Sequence, residues 1–201
     1  MPQTLLQGLQ QFKTEYFPQY ETRFKQLVSE GQSPRVLFIG CSDSRVVPDR
    51  LMSTEPGDMF VVRNVGNIIP PYNLDHEHHS LSAAIEYAVE ILHVHDIIVC
   101  GHSHCGAIRA LYNPPPTCGK HVRQWLKFAE PAKLTGEINA QLLRQTEQRS
   151  IIVQLDRLMT FPGIYERVEN GDIALHGWHY VIEEGTVFIF DFDQKKFVPY
   201  V

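Results

Sequence analysis

Three residues of this 201-residue chain offer the donor atoms of a metal site: Cys41, His102 and Cys105. Cys41 belongs to Gly40-Cys41-Ser42-Asp43-Ser44-Arg45, the other two to Cys100-Gly101-His102-Ser103-His104-Cys105-Gly106. Each segment follows an apolar, β-branched run, Val36-Leu37-Phe38-Ile39 in one case and Ile97-Ile98-Val99 in the other. If both runs are strands of one parallel sheet, both segments leave carboxyl ends of strands, where open α/β sheets place ligand sites. Two thiolates and one imidazole suit zinc and leave one tetrahedral position for water, the arrangement of a catalytic site. The pattern points to a zinc-dependent hydrolytic or hydration enzyme.

The neighbours of these residues sharpen the reading. Asp43 and Arg45 alternate along the chain and are placed to form an ion pair. A cysteine close to an arginine also raises a phosphatase nucleophile, but three intervening residues leave little room for a phosphate-cradling loop. His104 lies between two candidate ligands and is expected to face elsewhere. Cys100 reads as a buried strand residue and Cys118 as an exposed one. His76, His78 and His79, with Asp75 and Glu77, form a second cluster in a loop entering a helix. They read as solvated loop residues, with proton shuttling as the alternative. His93, His95, Trp125 and Trp178 read as structural.

Elements must bring these segments together. Residues 3–29 carry apolar side chains at spacings of three or four, which predicts a helical arm with Pro18 as a break or kink. Strands are expected at 35–39, 59–63 and 97–100, with a helix starting at Ser80 whose apolar stripe is Leu81, Ala84, Ile85, Ala88, Ile91 and Leu92. Further helices are expected at 106–111, 122–129, 138–144, 151–158 and 164–168, then β-rich segments at 173–182 and 186–192. Alternating strands and helices argue for an α/β fold, with a mostly parallel central sheet flanked by helices, an N-terminal helical arm and a β-rich C-terminal part. One domain over 1–201 is expected, with 1–30 as the arm.

Composition bounds the partners. The chain is 43% hydrophobic and 20% charged, with a net charge of −5. No run of Lys or Arg offers a polyanion surface, which argues against nucleic acid. Four cysteines do not resemble a disulfide scaffold, and the polar, glutamine-rich start lacks a signal-peptide pattern. No apolar run is long enough to span a bilayer. A reducing cytoplasm is therefore expected, where thiolates stay available to a metal.

Taken in order, Cys41-Ser42-Asp43-Ser44-Arg45, Phe60-Val61-Val62-Arg63-Asn64, Ala83-Ala84-Ile85-Glu86-Tyr87, Gly101-His102-Ser103-His104-Cys105-Gly106, Leu175-His176-Gly177-Trp178 and Ile182-Glu183-Glu184-Gly185 resemble the β-class carbonic anhydrases. The segments Gly31-Gln32 and Ile69-Pro70-Pro71-Tyr72 resemble the cyanobacterial and plant-like branch. The resemblance implies reversible hydration of carbon dioxide to bicarbonate and a proton, with one zinc per subunit on Cys41, His102 and Cys105. It implies that Asp43 orients the attacking oxygen and that Arg45 keeps Asp43 off the metal. Gln32, Phe60, Val65 and Tyr87 would line the substrate pocket, Gln32 and Tyr87 across a dimer interface, and the Gly106 backbone would add a donor. The arm would clasp the partner subunit, making a homodimer or a higher oligomer. Some relatives carry tryptophan three residues before the first ligand, supporting an inhibitory bicarbonate pocket. Phe38 stands there in this chain, which implies that the pocket is absent and that the resting zinc keeps water. Carboxysome proteins are further possible partners. A carbonyl sulfide or carbon disulfide hydrolase and a non-catalytic adaptor are the alternatives on the same scaffold.

Overall fold

Strand β1 (Val36–Cys41) is a continuous apolar run because both of its faces are covered, as in parallel sheets generally. A computed structural model of the chain describes residues 2–72 and 80–200. In it β1 pairs in parallel with β2 (Met59–Asn64) on one side and β3 (Asp96–His102) on the other. Strand β4 (Ala174–Val181) extends the parallel part, and β5 (Thr186–Asp191) and β6 (Lys196–Tyr200) add two antiparallel strands. The sheet order is β2-β1-β3-β4-β5-β6. From β1 the chain steps to β2 on one flank and then crosses to β3 on the other. The carboxyl ends of β1 and β3 therefore flank a topological switch point, where such sheets open a crevice.

The expected α/β class, the mostly parallel sheet and the antiparallel end are all present. Several boundaries differ for physical reasons. The arm is α1 (Gln3–Gln11), a π-helical turn (Phe12–Tyr16) and α2 (Phe17–Glu30). The wide turn lets the Phe17 N–H reach the Phe12 carbonyl just before Pro18, whose ring would crowd the Thr14 carbonyl in a regular helix. None of its residues is buried among those described. Helix α3 (Pro48–Met52) follows β1. Helix α4 (Ser80–Glu86) also runs into a π-turn, Tyr87–Ile91, which shifts the inward face so that Val89 is buried and Ile91 is 60% exposed. Ile91 therefore does not belong to the core stripe.

Helices α5 (Gly106–Tyr112) and α6 (Lys120–Leu126) come next; the 3₁₀ segment Lys127–Ala132 prolongs α6. The two helices expected at 138–144 and 151–158 are one, α7 (Ala140–Leu158), capped by Asn139, whose Oδ1 accepts the Leu142 N–H at 2.9 Å. Its inward face buries Thr146, Glu147, Ser150 and Gln154 among apolar residues, which broke the hydrophobic period. Helix α7 packs on β3 and β4, and α8 (Pro162–Glu169) follows it. The close approach needs glycine: a Cβ on Gly101 would stand 2.9 Å from Ile151 Cδ1. The main core joins Leu37, Ile39, Ile97 and Val99 of the strands to Leu81, Ile85 and Ala88 on one helix and Ile151, Leu155 and Leu158 on another. Among the described residues, no helix is long and apolar enough to cross a membrane.

Candidate metal centre

Cys41 ends β1 and His102 ends β3, and the two strands are hydrogen-bonded neighbours with Gly40 opposite Cys100. Adjacent strands lie about 4.8 Å apart, so their last side chains meet without any long reach. Cys105 stands three residues beyond His102 and caps the start of α5. The ligand atoms of Cys41, His102 and Cys105 all lie within 4.8 Å of one another, and all three residues are buried. Tetrahedral zinc would space its sulfur and nitrogen donors about 3.5–3.8 Å apart, which suits a donor group gathered within 4.8 Å.

The donor chemistry agrees. His102 Nδ1 lies 2.8 Å from the Ser103 carbonyl, which assigns the proton to that nitrogen and leaves Nε2 to face the sulfurs. Nε2 is buried without a hydrogen-bond partner, an orphaned acceptor of the kind a cation satisfies. The two sulfurs act on each other: Cys105 lowers the pKa of Cys41, and Cys41 together with burial raises that of Cys105. The Gly66 N–H also donates to Cys41 Sγ at 3.3 Å. Gly66 adopts φ +80°, and a Cβ there would stand 2.8 Å from Ala107 Cβ, so both the turn and the close approach require glycine. Burial raises His102's cost of charging, but the Cys41 thiolate outweighs it and the imidazole pKa rises. Cys100, packed with Phe38 and Ile98, is pushed up to about 12 by burial and stays a thiol.

Asp43 and Arg45 make a bidentate pair: Arg45 Nε donates to Asp43 Oδ1 at 2.9 Å and Nη2 to Oδ2 at 2.7 Å. This pairing holds the Asp43 carboxyl well below the usual range. Asp43 Oδ2 lies 3.9 Å from His102 Nε2, so the pair stands at the rim of the donor cluster. Arg63 braces the same segment, donating to the Cys41 carbonyl at 2.9 Å and the Asp43 carbonyl at 2.7 Å.

A family model described as carbonic anhydrase matches residues 36–187, about three quarters of the chain. The chain belongs to the β-class carbonic anhydrases. It is 44% identical over 200 residues to a carbonic anhydrase of Synechocystis, covering 94% of this chain and 71% of that protein. The solved β-carbonic anhydrase CcaA superposes with a TM-score of 0.87 at 42% identity, covering 98% of each chain. A tetrameric β-carbonic anhydrase of the filamentous ascomycete Sordaria macrospora gives 0.78 at 29% identity, covering 92% of this chain and 93% of that one. The protein is thus a zinc enzyme that interconverts carbon dioxide with bicarbonate and a proton. Neither the sulfur-substrate hydrolase nor the adaptor reading is favoured.

The other expected site residues fall into two groups. Val65, 46% exposed, lies next to Gly66, and the Trp125 indole N–H donates to its carbonyl at 2.7 Å. Gly106 is the first residue of α5, directly after Cys105. By contrast, Phe60 stands four residues before Asn64, the partner of Cys41 across β1 and β2, about 13 Å back along the strand. It stacks on Tyr87 of its own chain with ring centroids 5.9 Å apart. Gln32 is exposed in the segment between α2 and β1. These three do not join the metal cluster of their own chain. His76, His78 and His79 lie outside the described residues.

Sequence reasoning passed over Glu147. It is 4% exposed, accepts the Cys105 N–H at 3.1 Å and pairs with the fully buried His179 at 3.1 Å. The available signal was a polar stripe, Thr146, Glu147, Ser150 and Gln154, at helical spacing within an otherwise apolar pattern.

Proposed function

We propose that Cys41, His102 and Cys105 hold the zinc and that Asp43 and Arg45 are the catalytic pair of this carbonic anhydrase. The observation carrying the reading is the donor cluster itself, three ligand atoms within 4.8 Å with His102 Nε2 buried and unsatisfied. Zinc in that position acidifies water and so supplies the nucleophile for carbon dioxide. Two thiolates donate charge and weaken that effect, so the working pH lies above that of an all-histidine site.

Asp43 accepts a hydrogen bond from the attacking water and turns its lone pair toward the carbon. Arg45 neutralises Asp43 and holds it by two short hydrogen bonds, which keeps the carboxylate from competing for the open position. Val65 and the Gly106 backbone border the substrate on the same chain. Gln32, Phe60 and Tyr87 reach the pocket from a second copy, a placement supported by their distance from the cluster of their own chain. Residues 1–30 form the arm of a single domain spanning 1–201 and clasp that second copy; the exposed Leu5, Leu6, Leu9 and Phe12 support this. A homodimer is the minimum assembly, and the tetrameric fungal relative supports higher ones. Cytoplasm is the proposed location, with carboxysome proteins as partners in the alternative.

The full burial of Phe38 and the engagement of Arg63 by two carbonyls support a site without an inhibitory bicarbonate pocket, in which a bound metal would keep water at rest. Metal analysis with a pH profile of carbon dioxide hydration tests the assignment. One zinc per chain is expected, with Arg45→Ala retaining zinc but losing activity about 100-fold. An Arg45→Ala enzyme of near-normal rate would contradict the pair's role. A crystal at neutral pH with Asp43 on the metal would oppose the resting state.

A further inference from the structure

His104 is the odd residue of its motif. It stands between His102 and Cys105, yet its ring turns away from them, and its backbone adopts φ +57°. A non-glycine residue in the left-handed region is disfavoured and persists only where its surroundings impose it. Those surroundings are supplied by Glu183, in the turn between β4 and β5. Glu183 Oε1 lies 3.1 Å from His104 Nε2 and accepts Arg144 Nη2 at 3.0 Å. Its Oε2 accepts the Ser103 hydroxyl at 2.6 Å. The Ser103 oxygen in turn accepts the Ile182 N–H at 2.9 Å, and the Ser103 N–H donates to the Tyr180 carbonyl at 2.9 Å. Two consecutive residues of the ligand loop are therefore tied to one hairpin, both through a single carboxylate.

The left-handed turn matters for where it aims the backbone. The His104 carbonyl accepts Arg45 Nη2 at 3.1 Å, and the same nitrogen donates to Asp43 Oδ2 at 2.7 Å. The Arg45 side chain is 47% exposed. A solvated arginine–carboxylate pair holds its geometry weakly, because water competes and the long side chain keeps its rotamers. A third acceptor, fixed by the ligand loop and shared on Arg45 Nη2, removes that freedom. Neither Glu183 nor His104 touches the reacting atoms; each acts through the next.

We propose that Glu183 is a positioning residue for the hydration reaction: by fixing His104 and Ser103 it sets the His104 carbonyl that locks Arg45 onto Asp43. The proposal rests on the reading of Asp43 and Arg45 as the catalytic pair. It explains why a polar hairpin turn on the far side of β4 is joined to the ligand loop at all. It also explains why the motif tolerates a bulky residue where backbone conformation alone favours glycine.

The test uses the full-length zinc enzyme and its cobalt(II)-substituted form, with Glu183→Ala, Glu183→Gln, Glu184→Ala and Arg45→Ala. Glu183→Ala is expected to lower kcat about 10-fold with KM little changed and zinc content intact, the size of effect that slight misplacement of a catalytic group produces. Its cobalt absorption spectrum should move toward that of Arg45→Ala, because both free Asp43 to approach the metal. Glu183→Gln, which keeps an acceptor for His104, should restore part of kcat, and Glu184→Ala should match the wild type. A Glu183→Ala enzyme with wild-type kcat and spectrum would overturn the proposal while leaving the catalytic pair standing, provided Arg45→Ala is impaired. Equal losses in Glu183→Ala and Glu183→Gln that follow thermal stability, with an unchanged spectrum, would reduce Glu183 to a structural role. If Arg45→Ala is itself unimpaired, the catalytic-pair reading fails and the proposal goes with it.

Discussion

The strands that carry the donors and the arm that precedes them are both rich in apolar residues, yet they spend them differently. In β1 and β3 nearly every side chain is buried inside one chain, Leu37, Phe38, Ile39, Ile97 and Val99 completely so. In the arm Leu5 is 60% exposed, Leu9 64% and Phe12 45%, although aromatic contacts such as Tyr16 on Tyr20 run along it. Helices draw most of their stability from packing an apolar face, which the chain alone does not provide here. The arm touches the body near its end, where Leu27 meets Gly57 and Arg23 donates to the Pro56 carbonyl at 3.2 Å. The metal chemistry is thus built by one chain, whereas the arm's apolar face calls for a second.

The comparison breaks first at the donors. His102→Ala removes one of three ligands, and the further donor at the rim, Asp43, is held by Arg45. Zinc per chain, measured on purified protein, should fall from one to near zero, and hydration should vanish with it. A fully zinc-loaded His102→Ala enzyme would move the metal elsewhere and dissolve the contrast. On the arm the expected effect is large but of another kind. Leu5→Asp with Leu9→Asp should dissociate the assembly in sedimentation while each chain keeps its zinc. An unchanged mass would deny the arm its proposed role.

This division also explains what could be read from sequence. Cys41, His102 and Cys105 were legible because each follows a continuous apolar run, and parallel strands with covered faces read as such runs. The sequence could not say which copy's pocket Phe60 serves: its motif adjoins Asn64, but at about 3.3 Å per residue four steps carry it away from the cluster of its own chain. The strand β6 escaped notice because Pro199 argues against a strand; as an edge strand it tolerates the missing N–H. The division of α7 into two helices had a functional cause. Thr146 bonds Tyr112, Gln154 accepts the Ile69 N–H, and Glu147 holds the Cys105 backbone. Polar side chains that position the site are the ones that interrupt a hydrophobic period.

Glu147 offers the next test, since it places a polar side chain inside the region where apolar burial otherwise dominates. Replacing one member of a buried, hydrogen-bonded ionisable pair leaves its partners unmatched, and Glu147→Gln is expected to cost about 3 kcal/mol in denaturant unfolding. Zinc should be held more weakly as well, because the Cys105 N–H loses its carboxyl acceptor. A change of a few tenths of a kcal/mol would mean that Glu147 and His179 are bystanders, and that apolar packing alone places Cys105.

The smallest expected effect is also the most specific, and it concerns an exposed group that joins the two halves of the ligand-bearing sheet. The Ser103 hydroxyl, aided by a backbone N–H and His104, holds the Glu183 carboxyl down at about 2, against an ordinary value of 4.5. A carboxyl whose pKa is depressed on folding binds protons more readily in the unfolded chain, so its contribution is complete above the unfolded value. That contribution is lost as pH falls from about 4.5 toward about 2. Glu183→Gln cannot titrate, so the stability difference between wild type and variant should be constant near neutrality and shrink across that acid window. Metal loss in acid is common to both proteins and cancels in the difference. Because the side chain is 42% exposed, solvent screening keeps the gap modest. A difference that stays flat down to pH 2 would mean that the carboxylate charge does not stabilise the ligand loop, leaving shape alone to hold His104 in its left-handed turn.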